Sequence, residues 1–199
     1  METVLSPEEI KKLMQVKGEV RGVVFKTDLE YIFGQKGQEG LQKLKEELQR
    51  TNFPLDPEKI EMMTFYPIGL RAISLLVIKK LFSLSDEEIK RMGAAAPKFS
   101  LIIKLFTKYF LSITATARQA PSMWKRHYRA GELLIIEINE TEKRIILRLV
   151  GLDLHPVFCQ YLTGYFLTVV KMVVGQPVSS EETRCVFRGD DYHEYLITW

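Results

Sequence analysis

The sequence contains few of the residues from which enzymes and metal proteins build their sites. There are two cysteines and three histidines among 199 residues. Two cysteines as far apart as Cys159 and Cys185 do not make a disulfide scaffold, so we expect reduced thiols and a cytoplasmic protein. No Ser–His–Asp set, phosphate-binding loop, dinucleotide fingerprint or His-Glu-x-x-His motif is present. The sequence therefore predicts a protein that is not an enzyme.

The chain also has little net charge and no long apolar run. Its formal net charge is +3, which is too small to argue for nucleic-acid binding, and no dense Lys/Arg run or aromatic RNA-binding signature accompanies it. The N-terminus lacks the basic and apolar regions of a signal peptide. No stretch reaches about 18 uncharged apolar residues, so we expect no membrane-spanning segment.

The length and composition fit one domain with a proper core. The hydrophobic content of 46% and the charged content of 27% are ordinary for a globular protein. We predict a single domain over 1–199, mainly helical in 1–130 and built as a hairpin, a helix and a second hairpin in 131–199.

Two capping boxes mark helix starts in the N-terminal part, one at Ser6–Glu9 and the other at Ser85–Glu88. In each, a serine can accept from a backbone N–H three residues on, while the glutamate reaches back to the N-cap. We expect the first helix to end near Gly18 and the second to close at Gly93.

Further helices are predicted from the 3.6-residue spacing of apolar side chains. An amphipathic helix covers 38–50, after a segment punctuated by Gly34 and Gly37. The stretch 58–82 is predicted to be mostly helical, with Pro67 opening its main helix.

The pattern changes from Gly131 onward. Residues 133–138 and 144–150 are predicted to be strands and 139–142 a turn, and together they make a hairpin. Residues 155–174 are again helical, and 178–188 with 191–199 form a second hairpin about Gly189. Helices followed by two hairpins predict an α+β fold with an antiparallel sheet.

Four side chains in the C-terminal segment could bind one metal ion. Cys159 lies on the last helix, Glu182 and Cys185 lie on the following strand, and His193 comes after the turn. A three-residue turn at 188–190 would place Cys185 opposite His193. Such a set suits tetrahedral zinc in a structural role, because no position remains for water. Alternatively, the cysteines are small buried hydrophobes and His193 is exposed on an edge strand.

Three motifs in the C-terminal half are similar to those of one known family. They are Leu149-Val-Gly-Leu with Cys159, Tyr161-Leu-Thr-Gly-Tyr-Phe, and Cys185-x-x-x-Gly189-x-x-x-His193. In these the chain resembles the 4-vinyl reductase domain family, to which sensor domains of aromatic-responsive bacterial activators belong. The resemblance implies a zinc site with spacings like those of Cys159, Glu182, Cys185 and His193, although the family has a cysteine where this chain has His193.

The whole chain is also similar to a myxobacterial family of unassigned function. The shared features are Gly-Val-Val-Phe at 22–25, Tyr66-Pro67, Gly93 and a final Gly…Trp strand pair. Both families belong to a broader fold shared by haem nitric-oxide sensors and TRAPP vesicle-tethering subunits. The resemblance implies a helical N-terminal part packed on a four-stranded antiparallel sheet, and a homodimer.

Apolar and aromatic residues predict a ligand pocket beside the sheet. An aromatic such as Trp124 with the neighbouring His127 could hold a phenol-like ligand; alternatively, Trp124 anchors its helix and His127 is solvated. The apolar stripe on 155–174 either packs as core or lines a tunnel, and the Phe-rich helix 98–117 borders it. The predicted pocket residues are Phe106, Phe110, Trp124, His127, Phe158, Tyr161, Leu162, Tyr165 and Phe166.

The sequence argues against haem. The haem version of the resembled fold requires an axial histidine on a helix before the sheet and a Tyr-x-Ser-x-Arg clamp. Residues 60–123 contain no histidine, and the clamp motif occurs nowhere.

The first functional hypothesis is a sensory or regulatory domain that binds a small apolar or aromatic molecule, with a structural zinc ion beside the pocket. The alternative is a TRAPP-like protein-interaction scaffold that binds no ligand. An enzyme acting on a tetrapyrrole-like substrate, which the name of the resembled family suggests, is disfavoured because no acid–base pair stands out.

Overall fold

The computed structural model describes residues 4–51, 57, 59–99, 112–175 and 177–199. Its helices are α1 (Pro7–Met14), α2 (Val23–Arg50), α3 (Gly69–Leu81), α4 (Asp86–Phe99), α5 (Ile113–His127) and α6 (Pro156–Val174). Its strands are β1 (Glu19–Arg21), β2 (Phe65–Pro67), β3 (Tyr128–Arg129), β4 (Glu132–Asn139), β5 (Arg144–Val150), β6 (Ser179–Arg184) and β7 (His193–Thr198).

The predicted α+β architecture is confirmed. Strands β4 to β7 form a four-stranded antiparallel sheet in the order β4-β5-β7-β6, and helices pack on it. Strand β7 therefore lies inside the sheet, and β6 forms one edge. The two hairpins and the helix between them follow the sequence prediction closely, because short apolar runs bounded by turn residues, and capping residues, are strong local signals.

Helix α6 begins and ends at residues that suit those positions. The side chain of His155 accepts from the Val157 N–H at 3.1 Å, and Pro156 occupies the first turn. The helix ends at Gly175, whose φ of 63° is left-handed and easy for glycine. Its buried face packs on the sheet and on α4.

Helix α6 is also long and apolar enough to cross a membrane by length and composition. It carries a single charged residue, Lys171, and its high mean hydropathy follows from this. The expectation that no segment is long and apolar enough to span a membrane is therefore wrong for this helix. More than half of it is buried inside the protein, and the core helix of a soluble protein passes the same test.

Both predicted capping boxes form. The Glu9 N–H donates to Ser6 Oγ at 3.2 Å and the Ser6 N–H to Glu9 Oε2 at 2.7 Å. The Ser85 box has the same arrangement. Helix α1 nevertheless ends at Met14, four residues before Gly18, whose φ of 119° leads the chain into β1.

A small second sheet was not predicted. Strands β2, β1 and β3 pair in that order, each with only two or three residues. Pro67, expected to open a helix, is instead the last residue of β2 and lies opposite Glu19. Strands this short carry no readable alternation, so the sequence pattern could not separate them from the helix that follows.

Two glycines were misread as helix punctuation. Gly34 lies inside α2, where only Gly37 departs from helical geometry. Gly93 lies in the middle of α4, and a Cβ there would stand 1.9 Å from the Tyr161 carbonyl oxygen of α6. A Cβ on Gly164 of α6 would stand 1.8 Å from the Lys90 carbonyl oxygen of α4. These glycines bring two helix backbones into contact.

Replacing Gly164 with alanine should therefore destabilise the protein, because the methyl group collides with backbone that cannot rotate away. We expect Gly164→Ala to lower the free energy of unfolding by roughly 3 kcal/mol. Gly34→Ala is the matched control: no atom lies within 4 Å of its Cβ, so it should raise stability by up to about 1 kcal/mol. Urea unfolding measures both. Equal midpoints for wild type and Gly164→Ala would contradict the close helix contact.

Candidate functional site

A cavity of about 140 Å³ lies between α5, α6, the start of α2 and the sheet. Leu133, Ile145 and Leu147 of β4 and β5 form its sheet side, and Val23 and Ala120 contribute from the helices. Apolar cavities of about 150 Å³ bind benzene or xenon. The space is therefore that of one aromatic ring.

Most of the predicted pocket residues within the described ranges line this cavity. They are Trp124, His127, Tyr161, Leu162, Tyr165 and Phe166. Phe158 is buried beside them and stacks near Tyr161 at a centroid distance of 6.5 Å. Phe106 and Phe110 lie outside the described residues. The apolar stripe of α6 thus both packs as core and borders a space.

Trp124 has a structural role. Its Nε1–H donates to the Ala130 carbonyl at 3.0 Å, and its ring stacks on Tyr128 at 4.3 Å. The indole N–H, the only donor of this side chain, is therefore already used. Trp124 offers a ligand the face of a fixed ring and no free hydrogen bond.

His127 lines the cavity at the C-terminal end of α5. Its Nδ1 lies 3.0 Å from the Met123 carbonyl oxygen, which can only accept, so Nδ1 carries the proton and Nε2 is an acceptor. Burial lowers the pKa of His127, and the charges of Arg21 and Arg126 lower it further. The ring is therefore a neutral imidazole at pH 7, with one lone pair to offer.

Other polar groups around the cavity also present lone pairs. Thr27 Oγ1 donates to the Val23 carbonyl at 3.0 Å, and Thr116 Oγ1 donates to the Ser112 carbonyl at 3.1 Å. Each hydroxyl hydrogen is consumed within its own helix, so these oxygens remain acceptors. Gln119 also lines the cavity, and its amide can donate or accept. His127 and the two threonines thus favour a ligand that is apolar apart from a hydrogen-bond donor.

The four predicted metal ligands lie together at the other end of α6. One ligand atom from each of Cys159, Glu182, Cys185 and His193 lies within 4.8 Å of all the others. The two Sγ atoms are 4.0 Å apart, and Cys159 Sγ is 3.6 Å from His193 Nδ1. Glu182 Oε1 is 3.0 Å from the same Nδ1.

These separations match the edges of a metal tetrahedron. Bonds of about 2.3 Å to sulfur and about 2.0 Å to nitrogen hold two sulfurs about 3.8 Å apart and a sulfur and nitrogen about 3.6 Å apart. His193 Nε2 lies 3.2 Å from the Leu152 carbonyl oxygen, an outer contact that orients a ligating imidazole. Without an ion, burial raises the pKa of both thiols, so they are neutral.

The strand position of His193 and the length of the turn before it differ from those considered in the sequence analysis. His193 is buried on the interior strand β7 and is not exposed on an edge strand. The turn is longer than three residues and contains a 3₁₀ turn at Val186–Arg188. Beyond a bulge, Arg184 pairs with Glu194, which is the register expected for Cys185 facing His193.

One buried ion pair was missed altogether. The Arg71 guanidinium of α3 donates to the Asp28 carboxylate of α2, and both side chains are buried. The signal was an arginine within the otherwise uncharged apolar stretch 68–78. Tyr161 donates to the same carboxylate at 3.2 Å, so the pair reaches the cavity wall.

No protein-family model matches the sequence, and no curated protein is significantly similar to it. Solved structures are similar in fold. An H-NOX protein from Shewanella oneidensis in its Fe(II)–NO state gives a TM-score of 0.67 at 14% identity, covering 89% of this chain and 97% of its own.

A structure solved to study haem redox potential and porphyrin distortion gives a TM-score of 0.60 at 14% identity, covering 90% of this chain and 99% of its own. TRAPP subunit 3 from Naegleria fowleri, covalently bound to palmitic acid, gives 0.49 at 15% identity, covering 65% and 92%. The two structures with TM-scores of 0.67 and 0.60 support the broad fold that the sequence resembled. They add nothing for the myxobacterial family.

The expectation against haem is contradicted by these neighbours, since H-NOX proteins studied with haem iron share the fold. Residues 60–123 contain no histidine, but His127 lies just beyond this range, at the end of the helix that leads into the sheets. The comparisons give zinc no support either. What they establish is the architecture: this chain has the α+β fold of H-NOX domains, with helices packed on a four-stranded antiparallel sheet.

Proposed function

We propose that this chain is a sensory or regulatory domain that binds a small molecule in the cavity between α5, α6 and the sheet. The observation that carries the proposal is the neutral His127 at the wall of a mainly apolar cavity. The fold neighbours, which include a protein with bound nitric oxide, support a ligand-binding role.

Binding is favoured over catalysis by the groups around the cavity. Among the described residues that line it, the titratable ones are His127 and three tyrosines, and no carboxylate is present. Burial raises the pKa of Tyr128, Tyr161 and Tyr165, so all three stay protonated. A base without a matched acid fits ligand recognition better than proton transfer.

The ligand class follows from size and hydrogen bonding. The volume suits one aromatic ring, and the free lone pair of His127 suits a donor on that ring. We therefore propose a monocyclic aromatic ligand with a hydroxyl or N–H group, and phenol is its simplest probe. Two neighbouring free thiols fit the reducing cytoplasm, where we propose that the domain acts as a homodimer.

Phenol should bind more tightly than toluene, which has the same shape but no donor. His127→Phe should weaken phenol binding about fivefold to tenfold, the value of one hydrogen bond, and leave toluene unchanged. Calorimetric titration measures both. His155→Asn is the control, since it keeps an acceptor at the N-cap of α6. Equal affinity for phenol and toluene would refute the donor preference, and no binding of either would favour the ligand-free scaffold.

Phenol binding should also weaken in acid. The lowered pKa of His127 means that the folded protein takes up this proton later than the unfolded chain, whose histidine pKa is about 6.5. The free energy of unfolding therefore falls as pH drops from the unfolded to the folded pKa. Below the folded pKa, Nε2 is protonated and cannot accept from phenol. Phenol titrations at falling pH, with the protonation of His127 followed by NMR, should show this loss as the ring takes up its proton. An affinity that is unchanged when His127 is protonated would contradict it.

We further propose that Cys159, Glu182, Cys185 and His193 hold one divalent ion in a structural role. The support is the match between their separations and a tetrahedral site, with His193 oriented by Leu152. All four positions would be filled by protein, which leaves none for a reacting water. The ion would fasten the β6–β7 hairpin to the start of α6.

Cobalt(II) is a suitable probe because thiolate ligation gives intense near-ultraviolet charge-transfer bands. One equivalent per chain should produce these bands, and excess Zn²⁺ should remove them. Cys185→Ala should abolish them and Glu182→Gln should weaken them. Glu181→Gln, next in sequence but outside the cluster, is the control. Bands that survive Cys185→Ala would place the ion elsewhere, and the absence of bands would leave a neutral buried cluster.

Haem is a second candidate ligand, and the fold favours it. His127 fits the chemistry of an iron ligand, because its Nδ1–H is held by a backbone carbonyl and its Nε2 is free. The cavity of about 140 Å³ is smaller than the roughly 300–1,000 Å³ typical of larger ligands, so haem requires its walls to separate. When bound, haem iron would supply a site for a diatomic gas.

Titration with hemin tests this candidate. A sharp Soret band at one equivalent, lost in His127→Ala and kept in His155→Asn, would support haem held by His127. A broad band that is the same in all three proteins would indicate nonspecific adsorption and exclude the site.

A further inference from the structure

The buried pair of Asp28 and Arg71 calls for a functional explanation. Both side chains are almost fully inaccessible. Burying two charges costs much of what their attraction returns, and apolar replacements of such pairs are often neutral or stabilising. Stability alone therefore does not account for a pair at this position.

The pair holds one tyrosine of the cavity wall and lies beside a second. Tyr161 of α6 donates to Asp28 Oδ1 at 3.2 Å, and the Arg71 guanidinium carbon lies 4.4 Å from the Tyr161 ring centroid. The charge of Arg71 also acts on Tyr128 of β3, where it opposes the rise that burial gives the pKa of the phenol. Tyr128 and Tyr161 both line the cavity. The ion pair thus fixes Tyr161 by direct contact.

The network is not saturated. Within the described residues, Arg71 Nε is buried and has no hydrogen-bond partner. Such groups are rare in native proteins, and each calls for an explanation.

We propose that Asp28 and Arg71 are positioning residues of the pocket. They fix the hydroxyl group of Tyr161, set the size of ligand that the cavity admits, and couple occupancy of the cavity to α2 and α3. This inference rests on the proposed ligand-binding function and names the residues that determine its specificity.

Replacing the pair by apolar residues of similar size tests the inference. Asp28→Leu/Arg71→Met should unfold at the same or higher urea concentration, yet bind phenol about tenfold more weakly, because the walls are no longer preorganised. It should also discriminate less against the larger 1-naphthol. If this variant does not fold, Tyr161→Phe gives the same reading, since it removes only the hydroxyl contact with Asp28. Tyr66→Phe is the matched control, since it also removes a hydroxyl with a hydrogen-bond partner, the Glu61 N–H at 3.0 Å, but does not line the cavity.

Xenon separates this inference from the proposed ligand. Xenon-129 NMR reports an apolar cavity whatever its natural occupant. A xenon shift that changes in Tyr161→Phe but not in Tyr66→Phe supports the positioning role, even if phenol does not bind wild type. Identical xenon shifts and phenol affinities in wild type, Tyr161→Phe and the double variant would overturn it.

Discussion

The contact between the backbones of α4 and α6 is the constraint on which the other features depend. Gly93 and Gly164 remove the two side chains that would otherwise separate these helices. Helix α6 is thereby pressed between α4 and the sheet, with its apolar stripe facing inward. Its start then meets the β6–β7 hairpin and its middle borders the cavity. A larger distance between α4 and α6 would move both Cys159 and Tyr161 away from their partners.

Two buried polar clusters flank the apolar stripe of α6. Each offsets the free-energy cost of burying polar groups in a different way. Asp28 and Arg71 form an ion pair, with Tyr161 as a third partner. The cysteines beside His193 stay neutral, because burial raises the pKa of each thiol. The first cluster keeps its geometry without help, whereas the second becomes charged only when a cation compensates for the lost protons.

Local patterns predicted the parts of this fold that local forces determine. The hairpins, α6 and both capping boxes follow from short apolar runs bounded by turn residues, helical spacing and side-chain caps. Gly93 was misread because a glycine that ends a helix and one that admits a neighbouring helix look the same in sequence. Pro67 was misread because β2 is too short to show alternation. The candidate metal residues came together despite a wrong turn length, since a bulge near Thr183 and a longer loop restored the register. The pairing of Arg71 with Asp28 could not be predicted, because the two residues are far apart in the sequence and only the fold brings them together.

Helix α6 carries a member of each candidate site: Cys159 lies in its first turn, and Leu162 and Phe166 follow within two turns. A single helix of 19 residues moves largely as a rigid body, so a shift imposed at one end also displaces the other. If an ion at Cys159 changes the affinity of the cavity for its ligand by some factor, the ligand must change the affinity for the ion by the same factor. The affinity of the domain for its ligand would then depend on how much metal is available.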